Sequence, residues 1–128
     1  MNNGKPIKAF RQIDGRTGEY TISNYHGYCF CYNNPDYRES YFLYLDELYK
    51  TGIDGVMADD IQYVAAGNSC ACDHCRRLFK EETGYDLPYP DKWGEFFENY
   101  SDPAYVAWKN FKVRSTEKYQ REIGRAHV

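Results

Sequence analysis

Apolar positions along the chain fall into helical stripes separated by short polar or turn-rich segments. Tyr37, Tyr41, Leu45, Leu48 and Tyr49 recur at the spacing of one helix face. That stripe has matching ends. Asn33 and Asn34 suit an N-cap, Pro35 fits a first turn where a missing N–H does no harm, and Asp36 and Glu39 favour the positive end of the helix dipole. Thr51 and Gly52 stop it. A second helix is predicted from about Asp73 to Thr83, with Leu78 and Phe79 inward and Gly84 as its stop. After a rigid connector from Leu87 to Pro90, Asp91 starts a short helix with Trp93, Phe96, Phe97 and Tyr100 on its apolar side. Ser101, Asp102 and Pro103 form another cap-plus-proline start, launching a long helix through Trp108, Phe111 and Tyr119.

The remaining apolar runs are short and read as strands. Asp14–Gly15 and Thr17–Gly18 mark turns in a polar N-terminal region, and short strands are expected over Gly18–Ile22 and Tyr28–Tyr32. Ile53 to Ala58 is a brief apolar run bounded by turn residues. It reads as a buried strand, although periodicity alone does not separate it from a helix segment. A helix, a tight glycine turn and a buried strand make half of a βαβ unit, so the expected class is α/β. Parallel α/β sheets hold ligands at the carboxyl ends of their strands, where Asp59 and Asp60 stand. Residues 61–72 form a loop, and there is no internal repeat.

Charge and composition narrow the classes. The 128 residues suffice for one modest domain, and a net charge of -3 gives no electrostatic case for binding nucleic acid or an anionic membrane. No apolar stretch approaches membrane-spanning length, and Met1 to Pro6 lack the apolar core of a signal peptide. The unusual figure is 18% aromatic residues, with 14 Tyr, 7 Phe and 2 Trp. Most of these are expected in the core, but rings with a polar handle also suit a sugar-binding surface.

The five cysteines carry the sharpest chemical signal. Cys70, Cys72 and Cys75 form C-x-C-x-x-C, which can aim three thiolates at one ion, and Cys31 offers a fourth from a distant segment. Four sulfur ligands in a tetrahedron suit Zn²⁺. The competing reading is two disulfides and a free thiol in a secreted protein. Close spacing favours the metal, and with it a reducing, cytoplasmic setting.

The order of these features resembles a known family. Cys31 leads through Asn33, Asn34, Pro35, Tyr37 and Arg38 into a helix; Asp54, Gly55 and Asp59 follow as DG-x-x-x-D; then come C-x-C-x-x-C, Phe79, Gly84, Trp93 and Gly94. From about Tyr28 to Arg114, this is similar to the catalytic barrel of glycoside hydrolase family 42 β-galactosidases and to related glycosyl hydrolase barrels. The resemblance implies a (β/α)₈ TIM barrel, of which residues 1–122 would be an internal fragment of two to three βα units. It implies a structural zinc on Cys31, Cys70, Cys72 and Cys75, with no counterpart for Cys29. It also implies cleavage of O-glycosidic bonds in a carbohydrate substrate.

Under that resemblance Asp60 aligns with the family's acid/base glutamate, and Asp59 with its preceding asparagine. In a second comparison, with amylase-like barrels, Asp59 is the nucleophile. Asp is shorter than Glu by one methylene, so a non-catalytic carbohydrate-binding barrel protein is an alternative, and a small zinc-binding interaction module is another. Neighbouring residues on a strand diverge, so the two aspartates are not a complete catalytic pair and a later strand would supply the partner. Gln62 and Tyr63, just beyond the acids, are the candidates for touching a sugar. Ile123 to Val128 match the translation of a widely used sequencing adapter, so read-through is expected there and a longer parent, with possible oligomerisation, beyond Glu122. A partial barrel would have unpaired strand edges and bare helix faces, so the chain alone is expected to be poorly ordered.

Overall fold

The computed structural model describes residues 7–21, 29–55 and 63–125. Four helices dominate them: α1 Pro35–Tyr49, α2 Asp73–Thr83, α3 Pro90–Phe96 and α4 Pro103–Arg125, after a single 3₁₀ turn at Ile7–Phe10. None is long and apolar enough to cross a membrane.

The helices begin and end for local reasons. Asn34 caps α1, its side-chain oxygen accepting from Asp36 N at 2.9 Å and Tyr37 N at 3.3 Å, while its Nδ2 donates to Ala9 O at 3.3 Å. Pro35 follows at the first helical position. Gly84 closes α2 in the left-handed conformation at φ 80°, which only glycine adopts without a steric cost. Asp102 Oδ1 accepts from Ala104 N at 2.9 Å at the start of α4. α3 ends at Phe96, sooner than the aromatic run suggests, and Tyr100 lies outside it at 63% exposure.

The expected α/β barrel fragment is not what the chain forms. Among the described residues there are two isolated antiparallel bridges, Arg11 with Phe30 and Ile13 with Tyr20, and no sheet. Of the anticipated strand Gly18–Ile22 the described residues form the bridge at Tyr20, and of Tyr28–Tyr32 the bridge at Phe30; Ile22 and Tyr28 lie outside the described residues. Ile53 opens the third anticipated strand, but it is 37% exposed and irregular, and Val56 to Ala58 lie outside the described residues. The physical reason is that each segment meets its partner too briefly: the backbones near Tyr20 and Phe30 bond to residues 10–14 through single antiparallel bridges, and no ladder extends from them among the described residues.

The core consists of two clusters. One joins the four clustered cysteines to Phe79 of α2, Trp93 and Phe96 of α3, and Tyr105, Trp108 and Phe111 of α4. The second packs Tyr32 and Leu45 against Tyr119 and Ile123, with Tyr37, Tyr41 and Phe42 around them. α4 runs through both. Trp93 meets Trp108 edge-to-face at 5.2 Å, and Tyr32 stacks on Tyr119 at 4.8 Å.

The extended segment Phe10–Gly15 holds the loops together. Gln12 N donates to Cys29 O at 3.0 Å, Cys31 N to Phe10 O at 2.8 Å and Ala71 N to Ile13 O at 2.8 Å. At its end Gly15 lies against the Trp93 ring, where a Cβ would sit 2.2 Å from Cη2. Gly15→Ala is therefore expected to destabilise the chain by roughly 1–3 kcal/mol, the usual cost of overpacking, as read by chemical denaturation with tryptophan fluorescence.

Candidate metal centre

Cys31 precedes α1, fixed by its N–H on Phe10 O and by its own carbonyl, which accepts from Asn34 N at 3.2 Å. Cys70 and Cys72 lie in the turn before α2, Cys72 as the N-cap, and Cys75 is in the first turn of α2. The helix start brings two of the thiols to one side, and the preceding turn adds the third.

All four sulfurs lie within 4.8 Å of one another, and all four residues are buried. Cys31 Sγ is 3.5 Å from Cys72 Sγ and 3.4 Å from Cys75 Sγ. A zinc ion with bonds of about 2.3 Å would set its sulfurs roughly 3.8 Å apart. The observed separations bracket that edge, so the donor set fits one small ion. A disulfide, with sulfurs about 2.05 Å apart, is a different geometry, and none of the four clustered cysteines forms one. Cys29 is half-exposed and outside the group.

The electrostatics are those of a site that shares protons. Hydrogen bonds from Cys31, Cys70 and Cys75 pull the Cys72 thiol far below its ordinary range, despite its burial. Hydrogen bonding to Cys70 and Cys72, with burial, pushes Cys31 well up; hydrogen bonding to Cys31, Cys70 and Cys72, with burial, does the same to Cys75. Buried side by side, the thiols do not all ionise, because like charges at this distance repel. A bound cation reverses the balance and expels the protons.

Other side chains complete the setting. Asn33 Nδ2 donates to Cys75 Sγ at 3.4 Å and to Ser115 Oγ of α4 at 3.3 Å. Arg76 ties the cysteine turn to the Leu87–Pro90 connector, its guanidinium donating to Ala71 O, Leu87 O and Pro88 O and lying 4.3 Å from the Tyr89 ring centroid. Lys112 Nζ donates to Gly67 O at 2.8 Å and Ser69 O at 3.2 Å. Gln12 has no solvent exposure. Its Oε1 accepts from Val64 N at 3.1 Å and from the Ser69 hydroxyl, while its Nε2 donates to Phe30 O at 3.2 Å.

Of the sequence-derived site residues, the structure brings Cys31, Cys70, Cys72 and Cys75 together. Asp59, Asp60 and Gln62 lie outside the described residues. Tyr63 is half-buried, its ring edge-on to Tyr32 at 5.3 Å and 5.5 Å from Lys112 Nζ, between the two core clusters. His74, inside the cysteine turn, is not among the converging groups. Arg38 is half-buried, paired with Glu122 and donating to Tyr32 O at 2.9 Å. Gln12, Lys112 and the sulfur contact of Asn33 carry no motif, and sequence reasoning missed them.

Compared with protein families, curated proteins and solved structures, the chain matches none.

Gln12→Leu keeps the volume but leaves Val64 N and the Ser69 hydroxyl without this buried acceptor. The expected loss is roughly 1–3 kcal/mol for each group that finds no other partner, read as a lower denaturation midpoint.

Proposed function

We propose that this chain is a non-catalytic helical module stapled by one structural zinc ion on Cys31, Cys70, Cys72 and Cys75. The observation that carries the reading is the convergence of four buried sulfurs within 4.8 Å. An all-thiolate tetrahedral donor set favours zinc over the harder divalent cations, which prefer oxygen. Four protein ligands leave no open position for substrate, so the ion would hold structure rather than activate water. Its binding energy would be folding energy, because Cys31 and the C-x-C-x-x-C turn meet only in the folded chain.

The test is metal analysis of the purified full-length chain. One zinc per chain is expected, retained by Cys29→Ser and lost in Cys31→Ser or Cys75→Ser. Chelator treatment should melt the helical signal, and zinc should restore it. Iron in place of zinc would revise the identity of the ion, while a chain that folds equally well without any metal would overturn the staple. Zinc addition to the metal-free chain at neutral pH is also expected to release protons. Cysteine thiols are mostly protonated at neutral pH whether the metal-free chain is folded or not, and they must lose those protons to become ligands. A pH-indicator titration reads the release.

A carbohydrate-active role is a second proposal, supported by the sequence resemblance alone. Turnover of an aryl glycoside that disappears in Asp59→Asn or Asp60→Asn would support it, and absence of turnover in the parent chain would count against it.

A further inference from the structure

We infer that Lys112 of α4 is the outer-shell counter-charge of the tetrathiolate centre, setting its affinity for a divalent cation without touching the ion. The inference rests on the metal reading above and adds a residue that the cysteine motif does not reveal.

Four thiolates around one divalent cation carry a net charge of −2, and a buried charge is costly unless charge or hydrogen bonds compensate it. The chain supplies partial compensation through the first turn of α2 and through the Asn33 amide on Cys75. Full positive charges near the cluster come from Arg38, Arg76 and Lys112. Arg38 is neutralised by Glu122. Arg76 spends its guanidinium on three carbonyls and has Asp73 as an acidic neighbour on its own helix. Lys112 has no carboxylate partner among the described residues. Burial and the like-charged neighbour Lys109 oppose its charge, while the sulfurs of Cys70 and Cys75 favour it.

Geometry places that charge. Nζ is held by Gly67 O and by Ser69 O, the carbonyl directly before the ligand Cys70, and lies 3.9 Å from the Trp108 ring centroid. It is thus fixed by an aromatic face and two carbonyls rather than free to swing into water. On the next turn of α4, Ser115 meets Asn33, which also contacts Cys75. Two residues of one α4 face therefore reach the cysteine site through one intermediary each. Outer-shell partners of this kind are worth about 10–100-fold in metal affinity.

The experiment uses the full chain with Co²⁺ as the probe, whose thiolate charge-transfer bands report a tetrathiolate site, in competition with a chelator. Lys112→Met keeps the stem and removes the charge; Lys112→Arg keeps the charge. The expected result is about 10–100-fold weaker binding by K112M and binding close to the parent by K112R. K112M failing to fold even with excess cobalt, while K112R binds like the parent, supports the same conclusion. K112M as tight as the parent, or K112R as weak as K112M, overturns it. A parent chain without thiolate–cobalt bands would show that the metal reading itself has failed, which the variants do not address.

Discussion

The structure depends on the meeting of Cys31 with the C-x-C-x-x-C turn. The contacts of Cys31 with Cys72 and Cys75 join residues 41 and 44 positions apart. Bringing such distant segments together costs chain entropy. A cross-link over about 40 residues removes roughly 4 kcal/mol of that cost by the loop-entropy relation for disulfides, and a metal on four thiolates constrains the chain in the same sense. The meeting also fixes what surrounds it. α1 begins directly after Cys31 and α2 begins at the cysteine turn, so joining the two cysteine segments sets where both helices start.

Around that point the chain builds its core from rings. Leu45, Leu87, Val64 and Ile123 are among its few large buried aliphatic side chains, whereas Trp93, Trp108, Tyr119, Phe79 and Phe111 are among its largest fully buried ones. Each aromatic buries about 150–250 Å² and adds a preferred edge or offset geometry. α4 connects the halves, with Trp108 and Phe111 against the cysteine cluster and Tyr119 and Ile123 against α1. Ile123, in the segment that matches adapter sequence, is buried there, and its neighbour Glu122 pairs with Arg38.

Sequence reasoning succeeded where structure is encoded locally. Asn34 and Pro35, Gly84, and Asp102 and Pro103 mark helix ends by backbone chemistry that needs no tertiary partner. The cysteine site was legible for a similar reason, because C-x-C-x-x-C reports a turn with ligand spacing. It failed where identity depends on what lies alongside. Gly18–Ile22 and Tyr28–Tyr32 have the composition of strands, but a strand is defined by its neighbour, and no sheet forms among the described residues. Gln12 and Lys112 were invisible for the same reason. A buried glutamine reads as solvent-facing until Val64 and Ser69 are brought to it, and a lysine on an amphipathic helix reads as surface until its ammonium caps the loop.

If the four sulfurs hold an ion, metal loading and folding would be one equilibrium. Without a cation the four thiols share protons. Hydrogen bonds from Cys31, Cys70 and Cys75 favour the ionised form of Cys72, while Cys31 and Cys75 are themselves pushed away from ionisation. That arrangement is internally satisfied but weak, since a thiol is a poor hydrogen-bond donor and acceptor. A divalent ion on the proposed site would replace the shared protons with four strong bonds. The groups suited to the resulting negative charge already have other contacts in place: the start of α2 in its helix, the Asn33 amide on Ser115, and the Lys112 ammonium on two loop carbonyls. Their ordering is part of the fold, so binding the ion and ordering these groups would be coupled. Conversely, any change that loosens α4 would withdraw Lys112 and Ser115 together and weaken the hold on the ion.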